Sequence, residues 1–163
     1  MVNLQTNTLQ LMIQVANKQA HPITILMADD DEDDKMLTKE ALTENRLAND
    51  LHFVQDGEEL MDYLKQQGKF SDKNAPKPDL ILLDLNMPRK DGREALREIK
   101  SNPEFKRIPV VILTTSKAEE DIIKSYDLGV NSFITKPVTF NDLVRITKTL
   151  GDYWFEIVKL PNM

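Results

Sequence analysis

Asp79-Leu80-Ile81-Leu82-Leu83-Asp84-Leu85-Asn86-Met87-Pro88-Arg89-Lys90-Asp91-Gly92 is the stretch on which the fold turns. Leu80 to Leu83 form a short, wholly apolar run, with Pro78 before it and Pro88 and Gly92 after it. Such a run reads as a central strand of a parallel sheet, buried on both faces. Open α/β sheets bind ligands outside the carboxyl ends of their strands. The acid at that end, Asp84, is therefore a site candidate and not a solvated loop charge.

Outward from this strand, four more apolar, β-branched runs recur: Ile23 to Met27, Leu51 to Val54, Val110 to Leu113 and Ser132 to Thr135. Helically spaced stripes lie between them: Leu37, Ala41 and Leu42; Leu60, Met61 and Leu64; Ala95, Leu96 and Ile99; Ile122, Ile123 and Tyr126. Ser116 with Glu119, and Thr139 with Asp142, have capping-box spacing before the last two helices. Gly129 reads as a left-handed cap, and Pro103 and Pro109 bracket the turn before the fourth strand. Strand and helix alternate five times. With right-handed crossovers this predicts an α/β fold, a five-stranded doubly wound parallel sheet in a single domain. The link from Gly68 to Pro78 is polar and is expected on the surface.

Residues 1–21 stand outside the alternation. Leu9, Met12, Ile13 and Ala16 share one helical stripe, with Asn7 and Gln10 as its cap, and would suit a docking or dimer helix. Nothing later in the chain depends on them, so the preferred reading is an N-terminal extension of 1–21 before a folded domain of 22–163 that includes a long C-terminal helix.

The 163 residues suffice for one self-supporting core, and the absence of cysteine removes disulfides, thiolate metal sites and thiol nucleophiles. The 21 basic and 27 acidic residues give a net charge of −6, with no Lys/Arg cluster, which argues against nucleic acid as a partner. Apolar stretches are too short for a membrane span, and no signal peptide fits the start. The expected location is the cytoplasm.

The predicted strand ends converge on one crevice. The first strand leads into Asp29, Asp30 and Asp31, the third into Asp84, the fourth into Thr114 and Thr115, and the fifth into Lys136 and Pro137. Gathering Asp29, Asp30 and Asp84 costs about 4 kcal/mol per pair at ~4 Å and an effective dielectric near 20, so a cation must belong to the site. Hard oxygen ligands with open positions point to Mg²⁺. With Lys136 as a point charge and Thr114 as a hydroxyl donor, the set suits in-line attack of Asp84 on a phosphoryl group.

This set, the D-x-N-M-P-x-x-D-G spacing from Asp84 to Gly92, Thr114-Thr115-Ser116 and Lys136-Pro137 resemble the receiver domain of two-component response regulators over roughly residues 22 to 158. Leu113-Thr-Thr-Ser-Lys117, Tyr126-Asp-Leu-Gly-Val-Asn-Ser132 and Tyr153-Trp154 before Leu160-Pro161 are similar to the stand-alone regulators of cyanobacterial-type phytochromes. The resemblance implies a flavodoxin-like fold, a sensor histidine kinase of phytochrome type as donor, and a downstream protein target. It implies Asp84 as phosphoacceptor, with Asp30, Asp84 and the Asn86 backbone carbonyl on Mg²⁺ and Asp29 acting mainly through water. It also implies Thr114 and Lys136 on the phosphoryl group, Phe133 as the aromatic switch, and a cis Lys136-Pro137 peptide. Phe133 lacks the hydroxyl of the tyrosine often found there, and Thr115 is bulkier than the small residue many receivers carry.

Several residues keep plainer readings. Asp31 is read as a helix N-cap and Asp91-Gly92 as turn chemistry, while His21 and His52, without spaced partners, are structural. Tyr153, Trp154, Phe155, Ile157 and Val158 are read as packing on the sheet; a self-association patch, giving a homodimer, is the competing reading. No effector domain follows residue 158, so the surface of the fourth predicted helix, fifth strand and fifth predicted helix is expected to signal by protein contact. One rival is an aspartate-nucleophile Mg²⁺-dependent phosphatase, whose D-x-D-x-[TV] context is missing around Asp29, Asp31 and Asp33. The other is a calcium-binding module, with Asp29, Asp31, Asp33 and Glu40 at loop positions 1, 3, 5 and 12 but Asp34 where glycine is needed.

Overall fold

The computed structural model describes residues 23–45, 50–71, 74–114, 132–135 and 140–159, with the backbone alone for 114, 132–135 and 150–159. Its strands are β1 (Thr24–Ala28), β2 (Asp50–Val54), β3 (Leu80–Leu83), β4 (Val110–Thr114) and β5 (Ser132–Thr135). All pairings are parallel, and the sheet order is β2-β1-β3-β4-β5. The order reverses at β1 and β3, so the crevice of the fold opens between their carboxyl ends.

The alternation of side chains along each central strand supplies two cores. Leu26, Ala28, Ile81, Leu83, Val110 and Ile112 face one way and pack with residues of α2 (Gly57–Lys65) and α3 (Gly92–Ser101), among them Leu60, Leu64, Leu96 and Ile99. Ile25, Met27, Leu80, Leu82, Val111 and Leu113 face the other way, with Leu42 of α1 (Glu32–Glu44). The last described helix, α4 (Phe140–Lys159), packs beside α1. Burial on both faces explains why the strands read as continuous apolar runs and not as alternating ones. Removing a leucine from the middle, such as Leu83, would cost about 2–5 kcal/mol.

Four strand ends shift by one residue from the apolar runs that predicted them; among these, β1 begins at Thr24 and not Ile23, and β4 runs on to Thr114. β1 runs one residue further, to Ala28, and β2 begins at Asp50. Asp50 joins the strand because the Thr24 hydroxyl donates to its carboxylate at 2.6 Å and His52 Nε2 lies 2.6 Å from the other oxygen. The Thr24 hydrogen bond is the main cause that holds the Asp50 carboxyl below the usual range, with His52 adding to it. His52 is thus a structural residue, with its ring 5.7 Å from that of Tyr63.

The described residues of the Gly68–Pro78 link are held more firmly than its composition suggests. It opens with a 3₁₀ turn at Gly68–Phe70, and Ala75 is buried. Tyr63 hydroxyl donates to the Pro76 carbonyl at 2.9 Å and Gln66 Nε2 to the Ala75 carbonyl at 3.2 Å, so α2 ties the link down. The segment read as the fourth helix, around Ile122, lies outside the described residues, as do residues 1–21 and Gly129.

Candidate functional site

Each acidic corner of the site is the direct continuation of a strand ladder. The Asp84 amide donates to the Ala28 carbonyl at 2.9 Å and the Asp29 amide to the Val54 carbonyl at 3.0 Å, so the sheet fixes both backbones. Asp29 is wholly buried and Asp84 is 7% exposed, while Asp30 is open to solvent. One carboxylate oxygen from each of Asp29, Asp30 and Asp84 lies within 4.8 Å of the others. Buried carboxylates at that spacing repel strongly unless cations compensate. Three hard oxygen donors from two strand ends are a donor set that suits a divalent metal ion.

The turns that carry these acids are built by aspartates, two of the site acids among them. Asp29 Oδ1 accepts the Asp31 amide at 2.9 Å, and Asp31 Oδ1 in turn accepts the Asp33 and Asp34 amides at 2.9 and 3.2 Å, capping α1. The helix starts at Glu32 and runs through Glu40, so there is no twelve-residue calcium loop here. Its first-turn acids, Glu32, Asp33 and Asp34, instead favour the positive end of the helix dipole. After β3, Asp84 Oδ1 accepts the Asn86 amide at 3.0 Å, and Asp91 Oδ1 accepts the Arg93 and Glu94 amides, capping α3.

Glycine is required where that second loop closes. A Cβ on Gly92 would lie 2.3 Å from the Asp84 carbonyl oxygen and 2.6 Å from Leu85 Cα, and its amide donates to the Leu85 carbonyl at 3.0 Å. The start of α3 therefore rests against the backbone of the acid that ends β3. Arg89, with φ of 63°, makes the turn in the left-handed region that non-glycine residues seldom occupy.

The other predicted site residues are placed by backbone alone or lie beyond the described residues. Leu83 is in register with Ile112, and Thr114, at the carboxyl end of β4, is in register with Thr135 of β5. Phe133 is level with Ile112. Lys136, Pro137 and Thr115 are outside the described residues.

Sequence reasoning missed Asp56 and Glu98. Asp56, 2% exposed, caps α2 by accepting the Glu59 amide at 2.8 Å, and its second oxygen lies 3.6 Å from Arg89. Glu98 takes Lys90 at 2.5 Å and Lys65 at 2.9 Å. The Asp56-Gly57 dipeptide before a helical stripe was the available signal for the cap.

The fold and acid cluster define a phosphoacceptor module, and the chain belongs to the response regulator receiver domain family, whose model matches residues 25–148. Response regulator Rcp1 of Synechocystis sp. is 46% identical over 140 residues, covering 86% of this chain and 94% of that protein. Among solved structures, the phosphorylated cyanobacterial phytochrome response regulator RcpA is 48% identical with a TM-score of 0.74, covering 82% of this chain and 94% of that one. The Mn²⁺-bound form of Rcp1 is 45% identical with a TM-score of 0.72, covering 83% and 96% respectively. Membership makes the chain a signalling protein served by a histidine kinase and not a metabolic enzyme. Among the described residues, no helix is long and apolar enough to cross a membrane.

Proposed function

We propose that the chain is a single-domain response regulator in which Asp84 takes a phosphoryl group from the phosphohistidine of a sensor kinase. An Asp84 carboxylate oxygen forms a bond to phosphorus as the phosphorus–nitrogen bond breaks, leaving an acyl phosphate on Asp84 and a free imidazole on the kinase. The observation that carries this reading is the meeting of the Asp29, Asp30 and Asp84 carboxylates within 4.8 Å at the sheet's switch point.

In this reading Asp30, Asp84 and the Asn86 carbonyl hold Mg²⁺ directly and Asp29 holds it through water. The all-oxygen donor set fits Mg²⁺, and the Mn²⁺-bound Rcp1 relative supports a divalent ion at such a site. When bound, Mg²⁺ neutralises oxygens of the transferring group. Asp29 needs no mobility for its part, because the Asp31 amide and the Val54 carbonyl hold it from two sides. Thr114 hydrogen-bonds the phosphoryl group, Lys136 pairs with it, and Phe133 moves inward behind Thr114. The position of β4 beside β3, and of β5 beside β4, supports these roles.

Likeness to RcpA, a cyanobacterial phytochrome response regulator, favours a phytochrome-type kinase, and the location in this reading is the cytoplasm. Met36 and Phe140, both exposed, line a cleft along α1 together with Phe53 and the charged residues Glu32, Lys35, Lys39, Glu40 and Glu44. Output passes by protein contact through the β5 and α4 side, to a downstream target or a second copy in a homodimer. The proposed domain spans 22–163, with 1–21 as an extension. Incubation with Mg²⁺ and a small acyl phosphate should label the protein one-to-one and leave Asp84→Asn unlabelled. Equal labelling of the variant refutes the assignment.

A further inference from the structure

The loop from Asp84 to Asp91 carries both the acceptor acid and Asn86, and residues far from the acid cluster hold its far half. The Gly57 amide donates to the Lys90 carbonyl at 2.9 Å, and a Cβ on Gly57 would lie 2.2 Å from that oxygen, so only glycine permits the approach. One residue earlier in each segment, Asp56 pairs with Arg89 at 3.6 Å. Asp56 is nearly enclosed, and its other oxygen is committed to the α2 cap. Glu98 draws the Lys90 side chain to the surface of α3 and also bridges to Lys65, at the end of α2. The two lysines hold the Glu98 carboxyl below its ordinary range, Lys90 more than Lys65. Arg89 and Lys90 are thus gripped from two helices, and the grip coincides with the one described loop residue near the site, Arg89, whose φ is positive. A left-handed arginine persists only where its surroundings impose it.

We propose that Asp56 and Glu98 are positioning residues that fix the 85–91 loop and thereby set the affinity of the acid cluster for its metal ion. The route is short. Arg89 and Lys90 sit three and four residues beyond Asn86, whose amide orients the Asp84 carboxylate at 3.0 Å. Releasing Arg89–Lys90 lets the loop relax toward ordinary φ, which lengthens the Asn86–Asp84 hydrogen bond and displaces the Asn86 carbonyl. Groups that support metal ligands in this way act on affinity without touching the ion.

The inference rests on the metal site proposed above, and the test separates the two. Calorimetric titration of the full chain with MgCl₂ is compared for the wild type, Asp29→Asn, Asp56→Asn, Glu98→Gln and Tyr63→Phe, with amide hydrogen exchange followed at Gly57 and Asn86. Asp56→Asn keeps a capping oxygen, and Glu98→Gln is partly exposed, so both fold. Each should weaken Mg²⁺ binding by about tenfold and speed exchange at Asn86, whereas Tyr63→Phe, which lowers stability from the same helix, leaves affinity unchanged. If Asp29→Asn abolishes binding while Asp56→Asn and Glu98→Gln bind within twofold of wild type and exchange at its rate, the positioning role is overturned and the metal site stands. If Tyr63→Phe weakens binding as much as they do, the effect is general destabilisation and the role is again overturned. A wild type that binds no Mg²⁺, or an Asp29→Asn that binds like wild type, removes the metal site and this inference with it.

Discussion

The two segments that bring acids to the site solve the same problem differently. The β1–α1 turn is compact: Asp29 and Asp30 separate the strand from the Asp31 cap, and the turn supplies its own hydrogen bonds from Asp31 to Asp29 and from Asp33 and Asp34 to Asp31. The β3–α3 segment is longer, from Asp84 to the Asp91 cap, and depends on Asp56, Gly57 and Glu98 from elsewhere in the chain. A turn whose side-chain hydrogen bonds come from its own residues, with the Asp29 amide reaching across to Val54, is specified mainly by adjacent residues, and a loop held by distant ones is specified by the tertiary fold. The first should tolerate change around it, and the second should transmit change into the site.

The largest test of that contrast is Gly92→Ala. Its new methyl group meets backbone, the Asp84 carbonyl and Leu85 Cα, which cannot rotate away. Overpacking of this kind should destabilise by about 2–3 kcal/mol in urea unfolding and lower phosphorylation even where the protein is folded. A loss under ~0.5 kcal/mol would mean that the longer loop is as adaptable as any surface turn.

Asp31→Ala probes the self-contained turn. Loss of the α1 cap should cost about 1 kcal/mol in the same assay. Labelling of Asp84 should be unchanged, because the Asp31 amide, and not its side chain, orients Asp29. Abolished labelling in a folded Asp31→Ala protein would show that this turn too is coupled to the chemistry.

The smallest effect is in pH. The Glu98 carboxyl lies below its ordinary value of 4.5 in the folded protein, so its contribution is complete above that pH and is lost as the pH falls through the lower folded value. The stability difference between wild type and Glu98→Gln should therefore be constant from pH 7 to about 5 and shrink below 4.5, followed by urea unfolding across that range. A difference that grows on acidification would break the assignment of Glu98 to Lys90 and Lys65.

How far each segment was legible in the sequence follows the same division. The apolar runs, Asp84, the Asp29-Asp30 pair and the Asp31 cap are local patterns, and the sheet placed Asp29, Asp30 and Asp84 together. Asp91, read only as turn chemistry, is the α3 cap. What stayed hidden depends on contacts across the chain. Nothing around Glu98 announces Lys65, 33 residues away, and nothing around Arg89 announces Asp56. The burial of Ala75 follows from Tyr63 and Gln66 reaching back to the link, which composition alone assigns to the surface. Asp50 belongs to β2 through Thr24, a partner 26 residues earlier that no apolar periodicity reveals.

The hydrogen bond from the Asp84 amide to the Ala28 carbonyl has a mechanical consequence. With its main chain stitched to the neighbouring strand, this aspartate, in the acceptor role proposed above, would behave as an anvil with little room to recoil when a bulky dianion lands on its side chain. In that role the stress would be relieved by whatever surrounds it, and the information would leave through the neighbours while the struck residue stays still.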